Sequence, residues 1–238
     1  MPKLSEPELA FYLDLCNLIA SDQPFSLSRW GDGEWYAVES RPGHNCDYNN
    51  YNIKDELNQT LSNRLNQVLA TPKHLKYPPY YMCAQQVSSC YSAYHLFTDQ
   101  DWKSANIFHW ASIDNQLHHL FNALKTATCV IYIGNASLSR LPFISQFIEI
   151  PDKNVFNQYN KILLDISNTF TDNACQILSH KTYIFSAGMA ANVFIDDLYN
   201  INPYNTYIDI GSVFDPYVGR NSRGYHHKLS IDKTLMNP

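Results

Sequence analysis

Charge is scarce in this chain of 238 residues, where Asp, Glu, Lys and Arg together make up 16%, against ~25% in ordinary soluble domains. No basic excess accompanies the shortage. The formal net charge is −5 and the isoelectric point is near 5.9, which excludes a general nucleic-acid or polyanion binder, because such proteins answer phosphates with a basic face. An anionic ligand therefore has to be met by a local site. No apolar run approaches the ~18 residues of a membrane-spanning helix, and Met1-Pro2-Lys3-Leu4-Ser5 lacks the apolar region of a signal peptide. Six cysteines are scattered without a C-x-x-C pair or a Cys/His spacing of the structural zinc kind. Buried free thiols in a reducing cytoplasm are the expectation.

Apolar material is abundant: hydrophobic residues reach 45% and aromatics 14%, with 17 Tyr and 12 Phe. A chain of this length and composition can bury a large core as one α/β domain spanning residues 1–238. The organising stretch is Ser28-Arg29-Trp30-Gly31-Asp32-Gly33-Glu34-Trp35, which follows a short apolar strand, Phe25-Ser26-Leu27. Gly31 and Gly33 free the backbone so that the Asp32 and Glu34 carboxylates can be aimed at one point. Paired carboxylate oxygens suit Mg²⁺ or Mn²⁺, which take oxygen ligands and usually share them with a substrate's phosphates. A tight turn carrying solvated acids is the competing reading.

Along the chain, Ser5-Glu6-Pro7-Glu8 predicts a capped helix start, with the helix running to about Ala20. A long polar loop is expected over 40–51 and an amphipathic helix from about Asp55 to Leu69, with Leu57, Leu61, Leu65 and Val68 on one face. Tyr80 to Ala84 reads as a strand, followed by a helix through Tyr91, Tyr94 and Leu96. Asn106-Ile107-Phe108 reads as a third strand ending at His109. Ile113 to Lys125 has helical spacing. Cys129 to Ile133 is a continuous apolar run, as expected of a strand buried on both faces. Phe147 to Ile150 is a weaker strand, a helix is expected from about Asn160 to Leu178, and Tyr183 to Phe185 and Thr206 to Ile210 are the last strands. A helix containing Val193, Ile195 and Leu198 lies between them. The basic segment after Gly219 has no period and reads as a flexible tail with solvated His226 and His227.

Strands alternating with helices imply a Rossmann-like, mostly parallel sheet flanked by helices. In such a sheet the strand C-termini open on one edge, where ligands bind. The turns would bring Arg29, Gly31, Asp32 and Glu34, His109, Gly134 and Asn135, Ser186 and Gly188, and Asp209, Gly211, Ser212 and Asp215 to one rim. Asp209, inside its strand, reads as a buried structural carboxylate.

R-W-G-D-G-E after the first strand, S-A-G-M-A-A-N after a late strand, and I-D-I-G-S-V-F-D-P-Y followed by S-R-G-Y-H together resemble the GT-D-fold glycosyltransferases. The blocks lie in that family's order from Arg29 to His226. Where some members carry G-P-T-A this chain has Ala187-Gly188-Met189-Ala190, and it offers Asp215 where they carry a further glutamate. The resemblance implies a GT-D-type fold and a metal-dependent transfer of sugar from a nucleotide-sugar donor, a UDP-sugar in the first instance, to a glycan or other hydroxyl acceptor. It also implies that Asp32-Gly33-Glu34 matches the family's D-x-E motif, with Mn²⁺ or Mg²⁺ as cofactor. Gly188, Met189 and Ala190 would then offer backbone N–H groups to the nucleotide, Gly134 and Asn135 would edge the ribose or base, and Arg223 would fold over the diphosphate. Asp215 and His109 are the candidate bases for the acceptor hydroxyl. A SAM-dependent methyltransferase and a non-catalytic nucleotide-binding module are the rival readings.

Overall fold

The computed structural model describes residues 4–41, 52–71, 73, 75–85, 102–171 and 180–237. Its centre is a seven-stranded sheet in which every strand pair is parallel: β1 (Ser26–Trp30), β2 (Tyr80–Ala84), β3 (Trp102–Ser104), β4 (Val130–Gly134), β5 (Gln146–Glu149), β6 (Thr182–Phe185) and β7 (Thr206–Asp209). Their spatial order is β3-β2-β1-β7-β6-β4-β5. Seven α-helices among the described residues flank the sheet: α1 (Glu6–Ala20), α2 (Asp32–Val38), α3 (Leu61–Ala70), α4 (Ile107–Ile113), α5 (Leu117–Thr126), α6 (Tyr159–Ser167) and α7 (Ala190–Ile201). This is the α/β, Rossmann-like architecture.

Alternation along the strands builds two apolar layers. In β4, Ile131 and Ile133 pack toward α2, α3, α6 and α7, while Val130 and Tyr132 pack toward α1, α4 and α5. All five residues of β4 are buried, which is why this strand reads as an uninterrupted apolar run. The first helix begins as its sequence dictates: the Ser5 N–H and hydroxyl both donate to the Glu8 carboxylate, at 2.9 and 2.7 Å, and Tyr12, Leu15, Cys16 and Ile19 form the buried face. Cys16 and Cys83 are buried and Cys129 is half-buried.

Three local expectations need correction. The helix expected from Asp55 starts at Leu61, because Thr60 caps it by accepting from the Asn63 N–H, while Asp55 holds a tight turn by accepting from the Gln59 N–H. Leu57 lies in that turn and is 65% exposed. The third strand is Trp102–Ser104, and Asn106 precedes helix α4, so Ile107 and Phe108 are buried helix residues and His109 sits on the first turn of a helix. The helix expected over Ile113 to Lys125 is two helices, separated where Asn115 adopts a left-handed φ of 57°. The expected helix through Tyr91 and most of the 40–51 loop lie outside the described residues, as do residues 172–179 of the helix expected to reach Leu178. The C-terminal segment is folded into short 3₁₀ turns, Asp215–Val218, His226–Lys228 and Lys233–Met236. Among the described residues no helix is long and apolar enough to cross a membrane.

Candidate active site

After β1 the chain turns into α2, in one layer; after β7 it turns into Val213 and Phe214, in the other. Neighbouring strands whose connections leave to opposite faces open a crevice at their carboxyl ends. A cleft of about 380 Å³ lies there, lined from β1 and its turn by Arg29, Gly31, Asp32 and Glu34 and from β7 by Asp209, Gly211 and Ser212. Gln85 after β2, Asn106 and His109 at the start of α4, Gly188 before α7, and Arg223 and Tyr225 of the C-terminal segment complete it.

Arg29 is the hub. Its Nε donates to the Asp209 carbonyl at 2.9 Å and lies 3.2 Å from the Asp209 carboxylate, and its Nη1 donates to the Ala105 carbonyl at 3.2 Å. Gly211 must be glycine for this to fit: its φ is +60°, and a Cβ there would sit 2.0 Å from Arg29 Nη2. The Gly211 N–H in turn donates to Asp209 Oδ1 at 2.9 Å. On the β1 side, the Glu34 carboxylate accepts from the Gly31 N–H at 2.8 Å, which fixes it at the start of α2. Asp32 is exposed and accepts from the Gly33 N–H at 2.9 Å. Asn192 of α7 ties β1 to the late turn by donating to the Arg29 carbonyl at 2.9 Å.

The electrostatics follow from two buried carboxylates and one guanidinium. Burial, and then the charge of Asp209, pushes the Glu34 carboxyl up to about 7. Burial also raises Asp209, against the pull of Arg29 and the Gly211 N–H. His109 is lowered by burial and then by the charge of Arg29, so its imidazole is neutral at physiological pH.

Of the residues expected at the rim, Arg29, Gly31, Asp32, Glu34, His109, Gly188, Gly211, Ser212 and Arg223 line the cleft, and Gly134, Asn135, Ser186, Met189, Ala190 and Asp215 do not. Asn135 is occupied: its side-chain oxygen accepts from the Ser137 N–H and from Arg220. Gly134 packs so tightly that a Cβ would meet the Tyr132 ring at 2.8 Å. The Ser186 hydroxyl bridges the Tyr132 hydroxyl and the Gly211 carbonyl at 2.7 and 2.6 Å, supporting the turn from beneath. Met189 packs near Gly33, and Ala190 is buried at the start of α7. Asp215 is buried against Ser222 and Arg220.

Asp209, expected at the rim with a buried hydrogen-bonding role, is 4% exposed and lines the cleft. Gln85, Asn106 and Tyr225 also line it, although none was singled out by the sequence. His226, expected in solvent, is buried, whereas His227 is exposed.

Among the described residues no three His, Cys, Asp or Glu side chains are grouped so as to hold a metal ion by themselves. The carboxylates available are those of Asp32 and Glu34, at the first and third positions of α2 and both on the cleft lining. Mg²⁺ and Mn²⁺ commonly take one or two carboxylates and complete their shell with water and substrate phosphate.

The fold and the cleft thus define a Rossmann-like α/β protein with an acidic, arginine-centred crevice at a switch point of its sheet. No protein-family model matches this chain, and no curated protein or solved structure matches it significantly.

Proposed function

We propose that this protein is a metal-dependent glycosyltransferase that moves a sugar from a nucleotide donor, a UDP-sugar in the first instance, to a hydroxyl acceptor. The observation that carries the reading is the meeting of Arg29, Asp32 and Glu34 with the Gly188 and Gly211 turns in one crevice between β1 and β7. The resemblance of the R-W-G-D-G-E, S-A-G-M-A-A-N and I-D-I-G-S-V-F-D blocks to the GT-D-fold enzymes points the same way.

In this reading Asp32 and Glu34 hold Mn²⁺ or Mg²⁺. The bound cation supplies charge neutralisation for the leaving diphosphate. Arg223, exposed on the cleft wall, gives a second, mobile cation with the forked geometry that phosphate oxygens match. Arg29 is positioned too firmly by Asp209 and Ala105 to move, and holds the crevice in shape while offsetting the carboxylates. Gly188, without a side chain, lets a phosphate or ribose approach the backbone before α7. His109, neutral and on the cleft surface, is the group that takes the acceptor's proton.

The test is calorimetry and donor hydrolysis across nucleotide sugars, UDP and SAM, with and without Mn²⁺. Binding of a UDP-sugar that depends on Mn²⁺ and is lost after chelation supports the reading. Metal-independent binding of SAM would replace it with a methyltransferase, and binding without turnover would leave a nucleotide-sensing module.

A further inference from the structure

Part of the cleft wall is made by Arg223, Gly224 and Tyr225 of the C-terminal segment. The chain reverses at Gly219, where φ is +84°. Residues 221–224 are exposed, and so are His227 and Lys228, yet His226 between them is 3% exposed. Backbone hydrogen bonds of this stretch are local, from the His226 N–H to the Arg223 carbonyl at 3.0 Å and from the Lys228 N–H to the Tyr225 carbonyl at 2.9 Å. Its near end is pinned by polar contacts, Arg220 to Asn135, Ser137 and Asp152 and Ser222 to Asp215; beyond Ser222 the contacts with the body are aromatic. The Tyr225 ring stacks on His109 of α4 with centroids 3.7 Å apart and planes 23° from parallel, and its hydroxyl lies on the Ser212 side. His226 meets Tyr225 edge to face at 4.4 Å. Neither ring nitrogen of His226 has a hydrogen-bond partner among the described residues.

We propose that residues 223–228 form a strap that swings off the cleft about the anchored Arg220–Ser222 end, with His226 as its latch: the neutral imidazole stays seated behind Tyr225, and a proton taken up by that ring drives it out into water. A buried imidazolium needs an acceptor or a counter-ion. The charged and titratable groups facing His226 are Arg223 and His227 on its own segment and His109 on α4, and each disfavours a proton there. Beyond the ring of Tyr225, Arg29 on β1 and Asp215 after β7 act on that neighbour with opposite signs. Burial first, then these neighbours, hold the seated ring at about 4, against 6.5 for a free histidine. The sign follows: the open strap binds the proton more tightly, so closure is fully favoured above the free value and weakens as pH falls toward 4. The weakening is roughly tenfold per pH unit, reaching on the order of a hundredfold across that window. The strap rests on packing contacts, and it stands or falls separately from the glycosyltransferase reading.

Amide hydrogen exchange over 223–228, corrected for intrinsic rates and referenced to peptides of β4 and β6, tests this at pH 7 and pH 4.5. The native chain is expected to lose at least tenfold of its protection in the segment while the sheet stays protected. His226→Phe fills the same seat without a titrating group and is expected to keep the segment protected at both values. His226→Ala is expected to leave it unprotected at both. Equal protection of the native segment at the two pH values, or the same loss in His226→Phe, would overturn the latch. The comparison of native chain with His226→Phe decides the matter even if the alanine variant fails to fold.

Discussion

Two parts of this molecule bury carboxylates beside arginine, and they behave differently. Between α3 and α7, Asp55, Asp196 and Asp197 are answered by Arg64, Lys73 and Lys76: Arg64 lies 3.6 Å from Asp55 and bonds to Asp197 and the Tyr159 hydroxyl, Lys73 bonds to Asp196, and the Lys76 charge acts on Asp196. Acids and bases match there, and none of those residues lines the cleft. At the β1/β7 edge, Glu34 and Asp209 share one ordered guanidinium, that of Arg29, and the result is a carboxyl poised at about 7 in an open crevice. A balanced ion cluster staples helices to one another. An unbalanced one at an accessible edge stores an affinity for a cation or a proton, and that excess distinguishes a site from a staple.

The sharpest way to break this comparison is to remove the shared guanidinium. Arg29→Ala is expected to cost about 3–5 kcal/mol by stranding two buried carboxylates, read as a large drop in denaturation midpoint. The paired replacement of Lys73→Met with Asp196→Leu in the staple is expected to be near neutral and to leave ligand binding in the cleft intact. Next comes Asp32→Ala, which touches only an exposed side chain. Sugar transfer is expected to fall by at least about a hundredfold, ~2.7 kcal/mol at 1.36 kcal/mol per decade, with the thermal midpoint almost unmoved. Unimpaired turnover would put the excess charge of the cleft out of the chemistry.

Gly211→Ala is expected to cost about 2 kcal/mol, because the residue has a positive φ and its new methyl displaces Arg29. Gly219→Ala shares the positive φ but has nothing within 4 Å, so it should cost less, and equal costs would deny that the Arg29 contact matters. The smallest effect is a slope. Because Glu34 holds its proton to about 7 when folded and to about 4.5 otherwise, folding stability is greatest below 4.5 on this account and is lost as pH rises through 7. Glu34→Gln keeps the cap on Gly31 and is expected to flatten that slope, making the variant about 1 kcal/mol more stable than the native chain at pH 8. A variant with the native slope would contradict the burial argument.

Much of this was legible in the residues. The parallel sheet and six of its seven strands follow from apolar runs punctuated by glycine and capping residues, whereas the turn expected to aim Asp32 and Glu34 through φ > 0 glycines is the start of helix α2, with Gly31 at φ −90°. What was hidden has physical causes. Trp102-Lys103-Ser104 is an edge strand with half-buried side chains, so it lacks an apolar run, while the apolar Ile107-Phe108 pair next to it belongs to a helix. Tyr225 and His226 earn their places through single long-range contacts, to Ser212 and His109, that no local pattern encodes. Small-residue turns were over-read at Gly134 and Ser186, because closeness of packing and closeness to a ligand ask for the same residues.

The position of β7 between β1 and β6 has a consequence for how the protein is made. The first three strands and the next three form separate half-sheets, and Thr206–Asp209 is the keystone that locks one to the other. A ribosome must therefore release the chain through Asp209 before the halves can be sealed, and until then both raw margins are open to chaperones or to mispairing. The crevice comes into being in the same final act that completes the barrier against aggregation.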